Sequence, residues 1–294
     1  MAAKILDGRQ IAGEIRNEVS DRIAAHTVRH GPIRLHAILV GQDPAARLYA
    51  DSQRRRCLQA GVQHELVELP ETTTQTRLLA EIDRLNADPA VTGIVLQMPL
   101  PAQLDPAAAQ FRIDPYKDVE GVSPANIGWL FYDAPILAPC TALAVVEMIR
   151  RSGVEVRGAE AVVVGQSRIV GRPISMFLTT QMATVTACHI ATRDLKAHTR
   201  RADILVVAVG QPHLIGAAYV KPGAVVVDVG INSISVPGPD GTTVRRTVGD
   251  VKFDEVAEIA SAITPVPGGV GPVTVAVLLR NVVEAAGKQL NRRP

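Results

Sequence analysis

Twice along this chain, short apolar runs alternate with stretches that carry a helical period, and this alternation limits the fold more than any other feature. The first series follows a helical stretch over residues 5–25, where Ile11, Ile15, Val19 and Ile23 recur at four-residue steps. Leu35-His-Ala-Ile-Leu-Val40 is a short strand, residues 45–60 are helical and closed by Gly61, and residues 62–69 alternate as a strand does. Residues 74–87 are helical again, and Val91-Thr-Gly-Ile-Val-Leu96 is a third strand. The second series runs Ala161-Val-Val-Val164, helix 170–180, Thr184-Val-Thr-Ala-Cys188, helix 195–200, Ile204-Leu-Val-Val-Ala-Val209 and Ala224-Val-Val-Val-Asp-Val229. Strand alternating with helix predicts parallel sheets, with ligands beyond the carboxyl ends of the strands. The predicted class is α/β in two domains, a size that 294 residues allow. In the first series the strands end at Gly41-Gln-Asp-Pro44 and Gln97-Met-Pro-Leu-Pro101, so these loops are candidate site segments.

The two series are separated by a loop-rich stretch, 112–139, which contains Lys117-Asp-Val-Glu-Gly121. After the second comes Ile263-Thr-Pro-Val-Pro-Gly-Gly-Val-Gly-Pro-Val-Thr274, where proline fixes φ and glycine allows unusual backbone. Such a turn brings bare amide groups close to a flat or anionic ligand, or else forms a rigid corner. An apolar-periodic helix over residues 273–286 follows, with Pro272 suited to its first position, and Asp250-Val-Lys-Phe-Asp-Glu255 is expected to open a surface helix before it.

Net charge is +2, too small to argue for a nucleic-acid partner. The start, Met1-Ala-Ala-Lys-Ile-Leu-Asp7, has no apolar signal core, and no apolar run approaches the roughly 18–20 residues of a membrane span. Cys57, Cys140 and Cys188 lie far apart, which suits a reduced compartment. The expectation is a cytoplasmic protein with no membrane partner. The histidines at 26, 30, 36, 64, 189, 198 and 213 lack metal-ligand spacing and read as satisfied or surface residues, so no metal is expected. Arg54-Arg55-Arg56 reads as a solvated helix face, and Ser167 lacks the surroundings of a nucleophile elbow.

The second series opens on Gly165-Gln-Ser-Arg-Ile-Val-Gly171, a Gly-rich turn between strand and helix that could cradle a pyrophosphate or form a plain corner. Its glycines are six apart, so the Gly-x-Gly-x-x-Gly fingerprint is absent. The next strand ends in Cys188-His-Ile-Ala-Thr-Arg193, with no acid before Asp194 to hold ribose hydroxyls. Arg168 or Arg193 could then meet a 2′-phosphate, a lean toward NADP over NAD.

Several segments together resemble the bifunctional methylenetetrahydrofolate dehydrogenase/methenyltetrahydrofolate cyclohydrolase family. They are Tyr49 on the helix after the first strand, Gln97-Met-Pro-Leu-Pro101, Lys117-Asp-Val-Glu-Gly121, Pro139-Cys-Thr141, Gly165-Gln-Ser-Arg-Ile-Val-Gly-Arg-Pro173, Ala183-Thr-Val-Thr-Ala-Cys-His189, Lys221-Pro-Gly-Ala-Val-Val-Val-Asp-Val-Gly-Ile-Asn232, Gly249-Asp-Val251 and Thr264-Pro-Val-Pro-Gly-Gly-Val-Gly-Pro272. The resemblance implies a folate-binding catalytic domain at 1–139 plus 271–294, and a Rossmann-like NAD(P)-binding domain at 140–270. The C-terminal helix would return to the first domain, and two molecules would pair through their cofactor domains as a homodimer. It further implies Tyr49, Gln53, Gln97 and Glu120 as the catalytic group, with Tyr49 stacked on the folate aminobenzoyl ring. The folate, bound between the sheets, would also touch Pro99, Pro267, Gly268 and Gly269. NADP, with NAD as the alternative, would lie against Thr141, Gly165, Gln166, Ser167, Arg168, Val170, Arg172, His189, Arg193, Val209, Gly210, Gly230, Ile231, Gly271 and Thr274.

One departure bears on chemistry. The family carries Tyr-x-x-x-Lys on this helix, and here it reads Tyr49-Ala-Asp-Ser-Gln53. The motif acid is Glu120 rather than Asp, Ala46 stands for a serine, and Ala142 stands for a proline. Hydride transfer to nicotinamide needs proximity and alignment. Opening the methenyl product is general acid–base work, and glutamine cannot titrate. Arg56, three residues on, keeps its proton and could supply only charge. The expectation is therefore a dehydrogenase with its cyclohydrolase lost or very weak, the rivals being the full bifunctional enzyme and an inactive folate-binding paralogue. Gln166 and Ile190 stand where family members often hold the 2′-phosphate, which keeps NAD open.

Overall fold

The computed structural model describes residues 2–237 and 242–292. The chain divides into two compact units, Gly13–Cys140 with Val275–Pro294, and Met1–Ala12 with Thr141–Thr274. It opens with β1 (Lys4–Ile5), α1 (Gly8–His30), β2 (Arg34–Val40), α2 (Pro44–Gln59), β3 (Gln63–Leu69), α3 (Gln75–Ala87), β4 (Gly93–Leu96), α4 (Pro106–Arg112) and α5 (Pro124–Leu130). β3, β2 and β4 form a parallel sheet in that order, with Leu35 beside both His64 and Gly93. β2 is buried from Leu35 to Val40, as a central strand must be. α3 lays Leu78, Ile82 and Leu85 against a core with Ile38, Val40, Ile94, Leu96 and Ile113. Each such side chain contributes roughly 1.5–3 kcal/mol by leaving water. The Asp43 and Thr74 side chains cap α2 and α3, accepting from the Ala46 and Arg77 amides at 2.8 and 3.3 Å.

The other unit holds α6 (Cys140–Ser152), β5 (Glu160–Val164), α7 (Gly171–Thr180), β6 (Thr184–Cys188), α8 (Leu195–Thr199), β7 (Ile204–Val207), β8 (Val225–Asp228), β9 (Asn232–Pro237), β10 (Thr243–Val248), α9 (Phe253–Ala257), β11 (Ala262–Ile263) and the start of α10 (Val270–Arg292). Six parallel strands run in the order β1-β11-β8-β7-β5-β6, and β9 and β10 make a separate antiparallel hairpin. β5 is followed by β6 on one side and then by β7 on the other. The direction of winding therefore reverses between β5 and β7, and in a doubly wound sheet this is where a ligand sits.

Three expectations need correction. β1 pairs with β11, Lys4 beside Ala262, so residues 1–12 belong with the cofactor-type sheet and not with 13–140. α10 begins at Val270, which puts Pro272 at its third position rather than its first. By length and composition α10 could cross a membrane, yet 61% of its apolar window is buried inside the fold. Several of the polar residues between its apolar ones are tied down. Glu284 pairs with Arg22 of α1 at 2.6 Å, and Asn281 is buried in hydrogen bonds. The C-terminal helix thus packs against the first helix.

Candidate functional site

The first group of predicted site residues grows out of α2. Its buried stripe is Ala46, Ala50, Gln53 and Cys57. The two alanines let the helix approach the sheet closely, and Gln53 occupies the same face at 3% exposure. Tyr49, one turn earlier, stays half-exposed, while Arg54 and Arg55 face solvent as expected. The Gln97 side chain, just beyond β4, is buried and donates through Nε2 to Gln53 Oε1 at 3.0 Å. His64, on β3, brings its Nε2 to 3.3 Å from the same oxygen. Gln53 Nε2 and His64 Nδ1 are both buried without a partner. No sequence signal places His64 here, where it reads only as a satisfied or surface histidine. Pro99 follows two residues after Gln97, beyond a cis Met98–Pro99 bond, and is exposed.

In Lys117-Asp-Val-Glu-Gly121 most of the motif is structural. Lys117 Nζ donates to the carbonyls of Leu85, Asn86 and Asp88 at 2.7–2.9 Å, fastening the segment to the end of α3. Asp118 accepts from the Ser123 amide at 2.7 Å and from Asn126 Nδ2 at 2.9 Å. Gly121 has φ +68, and a Cβ there would overlap the Ala138 carbonyl. Asn281 of α10 donates to the carbonyls of Val119 and Ala138 at 2.9 Å each, a brace that sequence reasoning missed. Glu120 alone is left for chemistry. Burial, then the charge of Asp118, pushes its carboxyl up to about 8 against a hydrogen bond from the Leu96 backbone. The Tyr49 hydroxyl is pushed up to about 12, by burial first and then by the Glu120 charge. Although half of Tyr49 remains open, its phenol therefore stays neutral and lies within electrostatic reach of Glu120.

The second group lies on the carboxyl edge of the six-stranded sheet. Val164 of β5 is in register with Cys188 of β6 and Val207 of β7. The turn 165–171, the segment 188–193 and the pair Val209-Gly210 therefore leave the sheet side by side, and Gly230-Ile231 follows β8 on the same edge. Gly165 has φ +103, a Cβ on it would strike the Ala208 carbonyl, and one on Gly171 would strike the Gly165 carbonyl. Only glycine allows this packing of turn against strand and helix. Ser167, Arg168, Arg172, His189 and Arg193 are exposed around the edge, and Val170 caps α7 without a side-chain bond. Gln166 instead turns back, donating to the Val163 carbonyl at 3.1 Å. The Asp194 carboxylate accepts from the Ala197 amide at 3.1 Å, so it caps α8.

Two carboxylates shape this edge, and sequence reasoning had assigned neither. Asp250 accepts from the Val209 and Gly210 amides at 2.7 and 3.1 Å and from Asn232 Nδ2 at 2.8 Å. Asp228 accepts from the amides of Gly230, Asp250 and Val251 at 2.9–3.1 Å. Burial nevertheless raises Asp228 to about 6 against these donors. The signal was present in the glycines, because a Cβ on Gly230 would overlap Asp250 and one on Gly249 would overlap Asp228. The 264–272 turn joins the same edge. Thr264 Oγ1 accepts from the Asp228 amide at 2.8 Å, the Val266–Pro267 bond is cis, and Gly8 donates to the Gly268 carbonyl at 2.9 Å. A cavity of about 210 Å³ is lined by Gly230, Ile231, Pro267, Gly268, Gly269 and Gly271, among others. Thr141 and Thr274 belong to this unit too, Thr274 Oγ1 donating to the Val270 carbonyl at 3.1 Å.

The family model for the tetrahydrofolate dehydrogenase/cyclohydrolase catalytic domain matches residues 6–120, and that for the NAD(P)-binding domain of the same family matches residues 139–290. The chain is 48% identical over 284 residues to bifunctional protein FolD 1 of Rubrobacter xylanophilus, covering 97% of each. Among solved structures it is similar to the Campylobacter jejuni bifunctional enzyme FolD at TM-score 0.91 and 39% identity, covering 98% of this chain and 100% of that one. It is equally similar, at TM-score 0.91 and 39% identity over 99% of each chain, to Trypanosoma brucei FolD complexed with NADP cofactor and inhibitor.

Proposed function

Because this chain belongs to the tetrahydrofolate dehydrogenase/cyclohydrolase family, we propose that it oxidises methylenetetrahydrofolate to methenyltetrahydrofolate with NADP, its cyclohydrolase being absent or very weak. The observation that carries the second half is Gln53, a buried neutral amide where the family motif has a lysine. Gln53 accepts from Gln97 and lies against His64. It can align a substrate, but it cannot take a proton from water or return one to a leaving nitrogen.

The residues fit a dinucleotide. Gly165 and Gly171 bring backbone close at the switch point, and Asp250 holds the Val209-Gly210 turn open beside it. Bound NADP supplies the hydride acceptor. The protein supports that transfer by holding folate and nicotinamide in one geometry, which requires no titrating side chain. NADP is favoured over NAD because Asp194, the first acid after β6, is engaged in capping α8 while Arg168, Arg172 and Arg193 stand exposed. On the folate side we assign alignment to Tyr49, Gln53, Gln97 and Glu120, with Pro99, Pro267, Gly268 and Gly269 as further contacts. The same proposal takes the protein as a cytoplasmic homodimer.

A second reading, with both activities intact, is favoured by one observation. Glu120, raised to about 8, can exchange a proton near neutral pH. A paired assay separates the two. Purified protein given methylenetetrahydrofolate and NADP is expected to accumulate methenyl product in step with NADPH, the methenyl group then decaying no faster than in buffer. Gln53→Lys is expected to speed that decay on the order of 100-fold, since a lysine buried at this site would have its pKa lowered into a useful range. Wild-type formation of formyltetrahydrofolate keeping pace with NADPH would establish the bifunctional reading. Failure to reduce either nicotinamide cofactor would overturn both.

A further inference from the structure

The group around Gln53 contains an unbalanced account of hydrogen bonds. The Gln53 oxygen faces Gln97 Nε2 at 3.0 Å and His64 Nε2 at 3.3 Å, while its NH2 is buried with no partner. An unmade bond of this kind costs about 1–3 kcal/mol, so it points to something that arrives with an acceptor. Gln97 cannot by itself decide which way the Gln53 amide points, since its own amide offers a donor and an acceptor and both could turn over together. In the orientation observed, the Gln53 oxygen also faces Nε2 of His64, and the His64 Nδ1 is buried without a partner. With the amide oxygen turned this way, the ring places its proton on Nε2 and points it at Gln53. Burial and the neighbouring charges of Arg54 and His36 favour the neutral ring, which leaves just one N–H to place.

We propose that His64 is a positioning residue for the folate: its Nε2–H fixes the Gln53 carboxamide with the oxygen turned inward and the NH2 presented to a hydrogen-bond acceptor, a carbonyl oxygen or ring nitrogen, of the bound substrate. This rests on the folate reading of the Gln53 site. It adds a residue outside the family motifs quoted above, and it accounts for the orphaned donor that the Gln53 replacement creates.

The test compares His64→Phe, which keeps a ring and loses the donor, with His64→Gln, whose Nε2 can stand where the imidazole Nε2 stood. Both are measured in the full chain with methylenetetrahydrofolate and NADP. His64→Phe is expected to raise the folate KM roughly 3- to 10-fold, the worth of one neutral hydrogen bond, and to leave the NADP KM unchanged. His64→Gln is expected to restore most of the loss. In a Gln53→Leu background, where there is no amide to orient, His64→Phe should leave the folate KM unaltered. If the Phe variant does not fold, His64→Ala takes its place in both backgrounds. An unchanged folate KM in the single variant overturns the proposal. So does an equal rise in the Gln53→Leu background, or a Gln variant no better than Phe. Wild-type protein with no dehydrogenase activity would instead defeat the folate reading itself, so the two failures are distinct.

Discussion

Glu120 shows how the setting of a single motif acid becomes a measurable property. Its carboxyl is raised from an ordinary value of 4.5 to about 8, chiefly by burial. The folded chain therefore keeps a proton between these values that the unfolded chain has released. The stability this group contributes is full below about pH 4.5 and is lost as pH rises through about 8. The loss is no more than about 1.4 kcal/mol per pH unit for one proton. Melting temperature is thus expected to fall between pH 6 and pH 9. Glu120→Gln should flatten that limb and melt higher than the parent at pH 9. A parent whose melting temperature is level over this interval, or a variant with the same slope, would refute the assignment. Asp228, raised to about 6, acts between about pH 4 and pH 6, so its window overlaps the lower part of that of Glu120 and only the limb above about pH 6 belongs to Glu120 alone. The sequence marked Glu120 as the motif acid but not the burial that raises it, and it left Asp228 without a role among 29 acids. What the sequence did contain was the neutral side chain at 53, because that requires only the identity of a residue and its spacing from Tyr49.

At the level of single elements, legibility followed the length and period of the pattern. α3 declares itself through Leu78, Ile82 and Leu85, and β2 through an unbroken apolar run. β1 is two residues long, and its strand pairing is with β11, a partner more than 250 residues away that no local signal names. α4 and α5 lie within or beside a stretch read as loop, since each is a single short run started by a proline and an Asp105 or Ser123 cap. The cofactor edge was legible as a Gly-rich turn, whereas the pair of carboxylates that holds it was not. Asp250 is the element-scale test. Removing its carboxylate by Asp250→Ala frees the Val209 and Gly210 amides and Asn232 at once. We expect the NADP KM to rise about tenfold or more, at a stability cost of roughly 1–3 kcal/mol, with the folate KM less affected. Equal effects on both substrates, or none on NADP, would show that the turn does not depend on this clamp. On the same edge, Arg168→Ala and Arg193→Ala should weaken NADP without weakening NAD; measured selectivity between the two cofactors decides it.

For the whole molecule, the alternation of strand and helix was enough to give the α/β class and two parallel sheets, and the returning C-terminal helix came from the family resemblance. Its assembly has to be argued from what the fold leaves uncovered. The β9–β10 hairpin stands as a sheet of its own, and two strands are at best marginally stable without something against them. One of its faces carries Ile234 and Val236 with Arg246 and Val244 opposite them in register, and Val244 is 45% exposed. The other face carries Ser233, Ser235 and Arg245. A face of this kind on the cofactor unit, three apolar side chains beside one arginine, suits the pairing of two copies across a twofold axis, where the same patch meets itself. Scattering or sedimentation at micromolar concentration is expected to give about twice the 31.3 kDa chain mass. Val244→Asp should shift the population toward the single-chain mass, because each copy would have to desolvate a carboxylate where an apolar side chain had been buried. The variant should still bind NADP, since Val244 lies outside the sheet edge that we assign to the cofactor. A parent chain that runs at 31.3 kDa at these concentrations, or a Val244→Asp chain that remains fully paired, would remove the hairpin from the interface.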